Sequence, residues 1–122
     1  MSAKEKPEHI FQREVAARLR EENFIIIDCD VSDGLKYLSH SAGRRFAFIS
    51  VHKARGWTKG QPDLIIAKNG RVVLLELKYG KGKQSPEQAS FGLRCKDERI
   101  DYRVLRSLRE LEELIEEINR TF

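Results

Sequence analysis

Asp63-Leu64-Ile65-Ile66-Ala67-Lys68-Asn69-Gly70-Arg71-Val72-Val73-Leu74-Leu75-Glu76-Leu77-Lys78 is the stretch from which the rest of this 122-residue chain can be read. Two apolar, β-branched runs flank Asn69-Gly70, the preferred pair for a two-residue hairpin turn. That turn sets the register. Lys68 stands opposite Arg71, and counting back along both strands puts Asp63 opposite Glu76. Directly opposed residues point to one face with Cβ atoms about 5 Å apart. Lys78, two residues beyond Glu76, shares that face one pleat further on. Two carboxylates and a lysine therefore gather at the open end of the hairpin.

Adjacent carboxylates repel each other, and burial makes the repulsion worse, so a positive group should compensate. Hard oxygen donors suit Mg²⁺, which is usually held by one or two carboxylates together with water and phosphate oxygens. Such an ion would stabilise negative charge developing on phosphorus and lower the pKa of an attacking water. Lys78 would orient that water or stabilise the pentacovalent charge. The same geometry also reads as an Asp–Lys–Glu salt-bridge network at the end of a hairpin.

Working outward, Pro7 suits the first turn of a helix running to about residue 22. Phe11, Val15 and Leu19 line one face of it, and Glu8 and Gln12 fall on that same face. Phe24-Ile25-Ile26-Ile27 reads as a buried strand. Val31, Leu35 and Leu38 have helical spacing. The segment 44–55 satisfies both helix and strand templates, and we read it as a helix ended by Gly56. On the far side of the hairpin, Ser85-Pro86-Glu87-Gln88 is a capping box that opens a helix to about residue 96. Tyr102-Arg103-Val104-Leu105 is a strand. Ser107-Leu108-Arg109-Glu110 opens a last helix whose Leu108, Leu111, Leu114, Ile115 and Ile118 form an apolar stripe. That stripe reads as core packing, with a self-complementary dimer contact as the minority reading. The order, helix, strand, helices, hairpin, helix, strand, helix, predicts an α/β fold: a small mixed sheet with helices on its faces. Residues 1–6 read as a disordered tail, and 7–122 as a single domain.

Charge supports a polyanionic partner. Residues 44–83 hold ten Lys/Arg (Arg44, Arg45, Lys53, Arg55, Lys59, Lys68, Arg71, Lys78, Lys81 and Lys83) against two acids, Asp63 and Glu76. The whole chain is only +4, so its remainder is net acidic. A basic middle is the footprint of a nucleic-acid-binding face. Lys81 and Lys83, in Gly80-Lys81-Gly82-Lys83, suit a flexible loop tracking phosphates; the spacing of a nucleotide-binding loop is absent, so no nucleotide cofactor is expected. Arg44, Arg45, Lys53, Arg55 and Lys59 form a second candidate strip. Trp57 reads as a packing wedge rather than a base-stacking residue, and His9, His40 and His52 lack metal-ligand spacing. Cys29 and Cys95 are too few for a disulfide framework and fit a reducing cytoplasm. No run reaches the roughly 18 apolar residues of a membrane span, and the first residues have no apolar stretch for a signal peptide.

Gly60-Gln61-Pro62-Asp63, then Glu76-Leu77-Lys78, resembles the PD-(D/E)xK nuclease signature. With Glu8-His9-Ile10-Phe11-Gln12, Gly56-Trp57-Thr58-Lys59-Gly60 and Ser85-Pro86-Glu87-Gln88 in order, the chain resembles the virus-type replication-repair nuclease (VRR-NUC) family over about residues 8–106. The resemblance implies a restriction-endonuclease-like core and a phosphodiesterase using Mg²⁺ or Mn²⁺. It implies that Asp63 and Glu76 ligate the metal with the Leu77 carbonyl, that Glu8 acts on the metal or its water, and that Lys78 is the catalytic lysine. Gln88 would reach the lysine or the scissile phosphate, with Gln12 as support. Stand-alone members of this size resemble phage or bacterial homodimers that cut branched DNA such as four-way Holliday junctions; longer relatives cut 5′ flaps. Two rivals remain open from the residues: a non-catalytic DNA-binding module, and an interaction subunit working through its acidic last helix.

Overall fold

The structure, a computed structural model, describes residues 6–29, 43, 44, 47, 50, 51, 54, 56 and 58–121. The hairpin forms as its turn dictates. Asn69 and Gly70 have φ of 53° and 76°, the paired positive values such a turn requires. β2 (Leu64–Lys68) and β3 (Arg71–Leu77) pair antiparallel from Lys68 opposite Arg71 to Leu64 opposite Leu75. β1 (Ile25–Asp28) adds antiparallel to β2, and β4 (Tyr102–Leu105) adds parallel to β3, giving the order β1-β2-β3-β4. A parallel partner cannot be reached by a tight turn. The crossover is made by α2 (Pro86–Asp97), which lies between β3 and β4 in the chain.

Alternation along the strands divides the sheet into two faces. Leu64, Ile66, Val73, Leu75, Leu77 and Leu105 face α1 (Pro7–Glu21) and α3 (Leu108–Asn119), whose Phe11, Val15, Leu19, Leu111, Leu114, Ile115 and Ile118 complete one core. The last helix therefore spends its stripe on this core, apart from Leu108, which is exposed. The opposite face carries Leu74, Glu76 and Tyr102. There α2 approaches closely: Phe91 meets Tyr102 with ring centroids 5.9 Å apart, and a Cβ on Gly92 would come within 3.0 Å of the tyrosine ring. The result is an α/β/α sandwich with β3 near its centre.

One strand departs from expectation. The run at 24–27 was expected to be buried, but β1 is the sheet's edge and only alternate residues turn inward. Phe24 is buried, while Ile25 and Ile27 are 64% and 51% exposed. In the 44–55 segment, the described residues Arg44, Ala47, Ser50, Val51 and Ala54 are helical, and Gly56 follows with φ of 108°. The expected helical turns at 31–38, and residues 1–5 of the expected tail, lie outside the described residues.

Candidate active site

The segment before β2 is held by the Gln61 side chain and by the close fit of Gly60. The Gln61 side chain donates to the Cys29 carbonyl at 2.8 Å and accepts from the Thr58 N–H at 3.2 Å. Gly60 has φ of 90°, and a Cβ there would sit 2.8 Å from the Gln88 nitrogen and closer still to the Glu87 carbonyl. Glycine is thus required twice, by the left-handed backbone and by the close approach to α2. Pro62 is buried. The segment is held between the end of β1 and the first turn of α2.

Asp63 lies just outside the ladder. Its N–H donates to the Leu75 carbonyl at 2.9 Å, its carbonyl accepts from the Cys29 N–H at 2.8 Å, and its carboxylate Oδ2 accepts from the Leu77 N–H at 2.8 Å. The side chain therefore replaces a missing strand carbonyl, which pins the carboxylate at the open end of the hairpin. Glu76 is 1% exposed, the one buried charged residue among the described residues. It sits beneath α2, where Gln88 meets it. The Ser85 N–H donates to Gln88 Oε1 at 2.8 Å and the Gln88 N–H donates to Ser85 Oγ at 3.2 Å. With its oxygen so engaged, the amide can present only Nε2, which donates to Glu76 Oε1 at 2.7 Å. Lys78 Nζ lies 3.9 Å from that same oxygen.

The other oxygen of Glu76, Oε2, is buried and is reached by no N–H or O–H donor among the described residues. Burial first, then repulsion from Asp63 and a hydrogen bond that the protonated form can share with it, push the Glu76 carboxyl up to about 8; Lys78 opposes the shift and Glu8 adds slightly to it. Tyr102, on the same face, has its hydroxyl pushed up to about 12, chiefly by burial and then by the charge of Glu76. A carboxylate placed where it resists ionisation, with one oxygen reached by no donor, is a group that a bound cation would stabilise. Among the described residues no three of His, Cys, Asp and Glu cluster as a metal cage. Two neighbouring carboxylates are a donor set that would suit a hydrated hard cation such as Mg²⁺.

Glu8 lies exposed in the first turn of α1, near enough to Glu76 to influence it; Leu77 is buried at the end of β3. Gln12 is partly buried. Gln88, expected to reach Lys78 or a phosphate, here donates to Glu76, and the capping box fixes its amide. Lys81 and Lys83 are exposed in the loop after β3, and Lys59 is exposed with Nζ 3.3 Å from Glu87. Arg44 is exposed; Arg45, Lys53, Arg55, Trp57, His40 and His52 lie outside the described residues. Sequence reasoning passed over Arg106. Its guanidinium donates to the carbonyls of Gly80, at 3.2 Å, and Gly82, and its own carbonyl accepts from the Gly80 N–H at 3.1 Å. A single arginine after a strand carries no local pattern that would have revealed this clamp.

No family model matches the sequence, and no curated protein matches it. Among solved structures, one described as "VRR_NUC domain" superposes with a TM-score of 0.62 at 18% sequence identity, covering 89% of this chain and 94% of that chain. Agreement over nearly the whole of both chains at so low an identity is agreement of architecture. The mixed four-stranded sheet, with α1 and α3 on one face and α2 on the other, is the fold of a VRR_NUC domain.

Proposed function

We propose that the protein is a divalent-metal-dependent endonuclease that hydrolyses phosphodiester bonds in branched DNA. The observation that carries the reading is the Glu76 carboxylate, buried beside Asp63 and Lys78 with Oε2 unsatisfied. Two buried, mutually repelling carboxylates with a lysine beside them are the arrangement a bound cation would relieve. The VRR_NUC fold supports the same conclusion.

Asp63 and Glu76 would hold Mg²⁺ or Mn²⁺, with the Leu77 carbonyl and Glu8 as neighbours. When bound, the ion supplies positive charge against the reacting phosphate and acidity for water. The chain's own residues do the remaining work. Gln88 keeps Glu76 Oε1 engaged, so Oε2 is the oxygen left to face a cation. Lys78 sets an ammonium beside the carboxylates, where it can orient the attacking water or offset charge on the phosphoryl oxygens. Lys59, Lys81, Lys83 and Arg44 offer phosphate contacts, joined in this reading by Arg45, Lys53 and Arg55. A homodimer would set two such sites against opposed strands of a four-way junction.

The test is cleavage of end-labelled four-way junction, 5′ flap and plain duplex with Mg²⁺, Mn²⁺ or EDTA, by wild type and Asp63→Asn. Metal-dependent cutting abolished in the variant is expected, with the junction preferred and sedimentation giving a dimer. Preference for the flap would move the substrate to that class. Tight junction binding without cutting under any condition would sink the enzyme and leave a DNA-binding module.

A further inference from the structure

We propose that Tyr79 is a stacking platform for an unpaired nucleobase adjoining the scissile phosphate, an inference that rests on the nuclease reading for the word scissile but not for the binding. Tyr79 directly follows Lys78 and is 54% exposed, a large ring left mostly in water at the edge of the candidate site. One side of it is anchored. Its ring centroid lies 5.6 Å from that of Phe11, tilted by 47°, and Phe11 is itself buried in the core. The rest of the ring is open to a ligand.

The backbone on both sides is fixed. The Lys78 N–H donates to the Leu105 carbonyl at 2.9 Å, and the Gly80 N–H to the Arg106 carbonyl at 3.1 Å. Arg106 then grips the carbonyls of Gly80 and Gly82. A ring held on a clamped backbone loses little freedom when a base settles on it. Just beyond β3 the Lys78 ammonium lies by Glu76, while the next ring, Tyr79, rests on Phe11 of α1. On this proposal the nucleotide next to a phosphate held at Asp63 and Glu76 passes round the end of β3 to reach that ring. Lys81 and Lys83 continue the run, both exposed. An aromatic interleaved with lysines is how single strands are bound without sequence readout: phosphates on the cations, a base face on the ring.

The consequence concerns substrate class. In an intact duplex both faces of a base are covered by its neighbours, and exposing one requires unstacking or flipping. A branch point, frayed end or single strand offers an open face at once. The site should then favour nucleic acid with an unpaired nucleotide next to the cut.

The experiment uses a short single-stranded oligonucleotide containing 2-aminopurine, in EDTA, with wild type, Tyr79→Phe and Tyr79→Leu. Leucine still covers Phe11 but cannot stack. Wild type and Tyr79→Phe should bind alike and quench the fluorescence; Tyr79→Leu should bind roughly tenfold more weakly and fail to quench, at an unchanged melting temperature. Wild type should also lose affinity for an oligonucleotide with abasic sites, a comparison that needs no variant. Equal binding and quenching by Tyr79→Leu, equal affinity for the abasic strand, or no single-strand binding by wild type overturns the platform. Quenching by wild type with no cleavage of four-way junction, 5′ flap or duplex in Mg²⁺ or Mn²⁺ overturns the nuclease reading alone and leaves the platform standing.

Discussion

Gln88 and Glu76 are joined by a 2.7 Å hydrogen bond whose direction is set by a helix cap. Because the Ser85 N–H occupies Gln88 Oε1, the amide must donate through Nε2, and the carboxylate receives a neutral donor on one oxygen only. A local folding device, the capping box of α2, is thereby coupled to the most buried charged group of the candidate site.

Removing that coupling should damage stability and activity together. Gln88→Ala strips Glu76 Oε1 of its amide donor and opens half the cap, which should cost about 1–3 kcal/mol. Ser85→Ala should cost about 1 kcal/mol, the usual loss for a cap, while the backbone N–H of residue 85 still holds the Gln88 amide. Gln88→Glu keeps the cap but sets a second carboxylate against Glu76, and should be the worst of the three without metal above about pH 8, where both are ionised. Urea midpoints in EDTA give the order, and a Gln88→Glu protein as stable as wild type would contradict it.

Glu76 should make the metal-free protein less stable as pH rises. Its carboxyl is raised from 4.5 to about 8 in the folded chain, so between those values the folded state holds a proton that the unfolded state has released. Stability in EDTA is therefore greatest below about 4.5 on this account and declines as pH climbs to 8. Mg²⁺ should raise the melting temperature more at pH 8 than at pH 5, because binding requires the ionised carboxylate. Melting curves at both pH values, with and without metal, check this, and Glu76→Gln should flatten both dependences.

Gly60→Ala should be far more damaging than Gly70→Ala, though both glycines have positive φ. At Gly70 a methyl group meets open space, so only backbone strain remains, about 1 kcal/mol. At Gly60 the methyl would strike the backbone of Glu87 and Gln88, and either the Asp63 segment or the start of α2 must move. A cost of at least about 2 kcal/mol is expected, with cleavage lost beyond what unfolding explains. Denaturant titration paired with single-turnover cleavage separates the two effects. Equal destabilisation by both variants would count against the packing argument.

How far the sequence reveals this molecule depends on the distance over which each contact acts. The hairpin was legible because Asn69-Gly70 and two apolar runs are local, and the turn register alone draws Asp63 towards Glu76. The reason for Asp63's position was not legible: it takes the Leu77 N–H in place of a strand carbonyl. Gln88 could be picked out as a capping residue, yet which atom it turned inward depended on the fold. Phe24-Ile25-Ile26-Ile27 misled because an apolar run does not say whether its strand is central or at an edge. Arg106 and Tyr79 were missed for a plainer reason. Their partners, Gly82 and Phe11, lie 24 and 68 positions away, and no periodicity links them.

The acid limb should be governed by a different carboxylate, with the opposite sign to Glu76. Glu117 bridges two strands' arginines: Oε2 lies 2.6 Å from Arg103 Nη2 and 2.9 Å from Arg71 Nη1. The Arg103 hydrogen bonds, chiefly, lower its carboxyl from 4.5 to about 2. The stabilisation is therefore complete above about 4.5 and is lost as pH falls towards 2, where the folded carboxylate finally takes up its proton. Glu117 is 47% exposed, so solvent screens the pair and its worth should be about 1 kcal/mol or less. Glu117→Gln should remove that increment at pH 7 and leave stability at pH 2 unchanged, while high salt should shrink the difference at pH 7. Urea unfolding of wild type and variant at pH 7 and pH 2, with and without added salt, is the measurement. A variant that loses as much stability at pH 2 as at pH 7 would show that Glu117 acts through packing rather than charge.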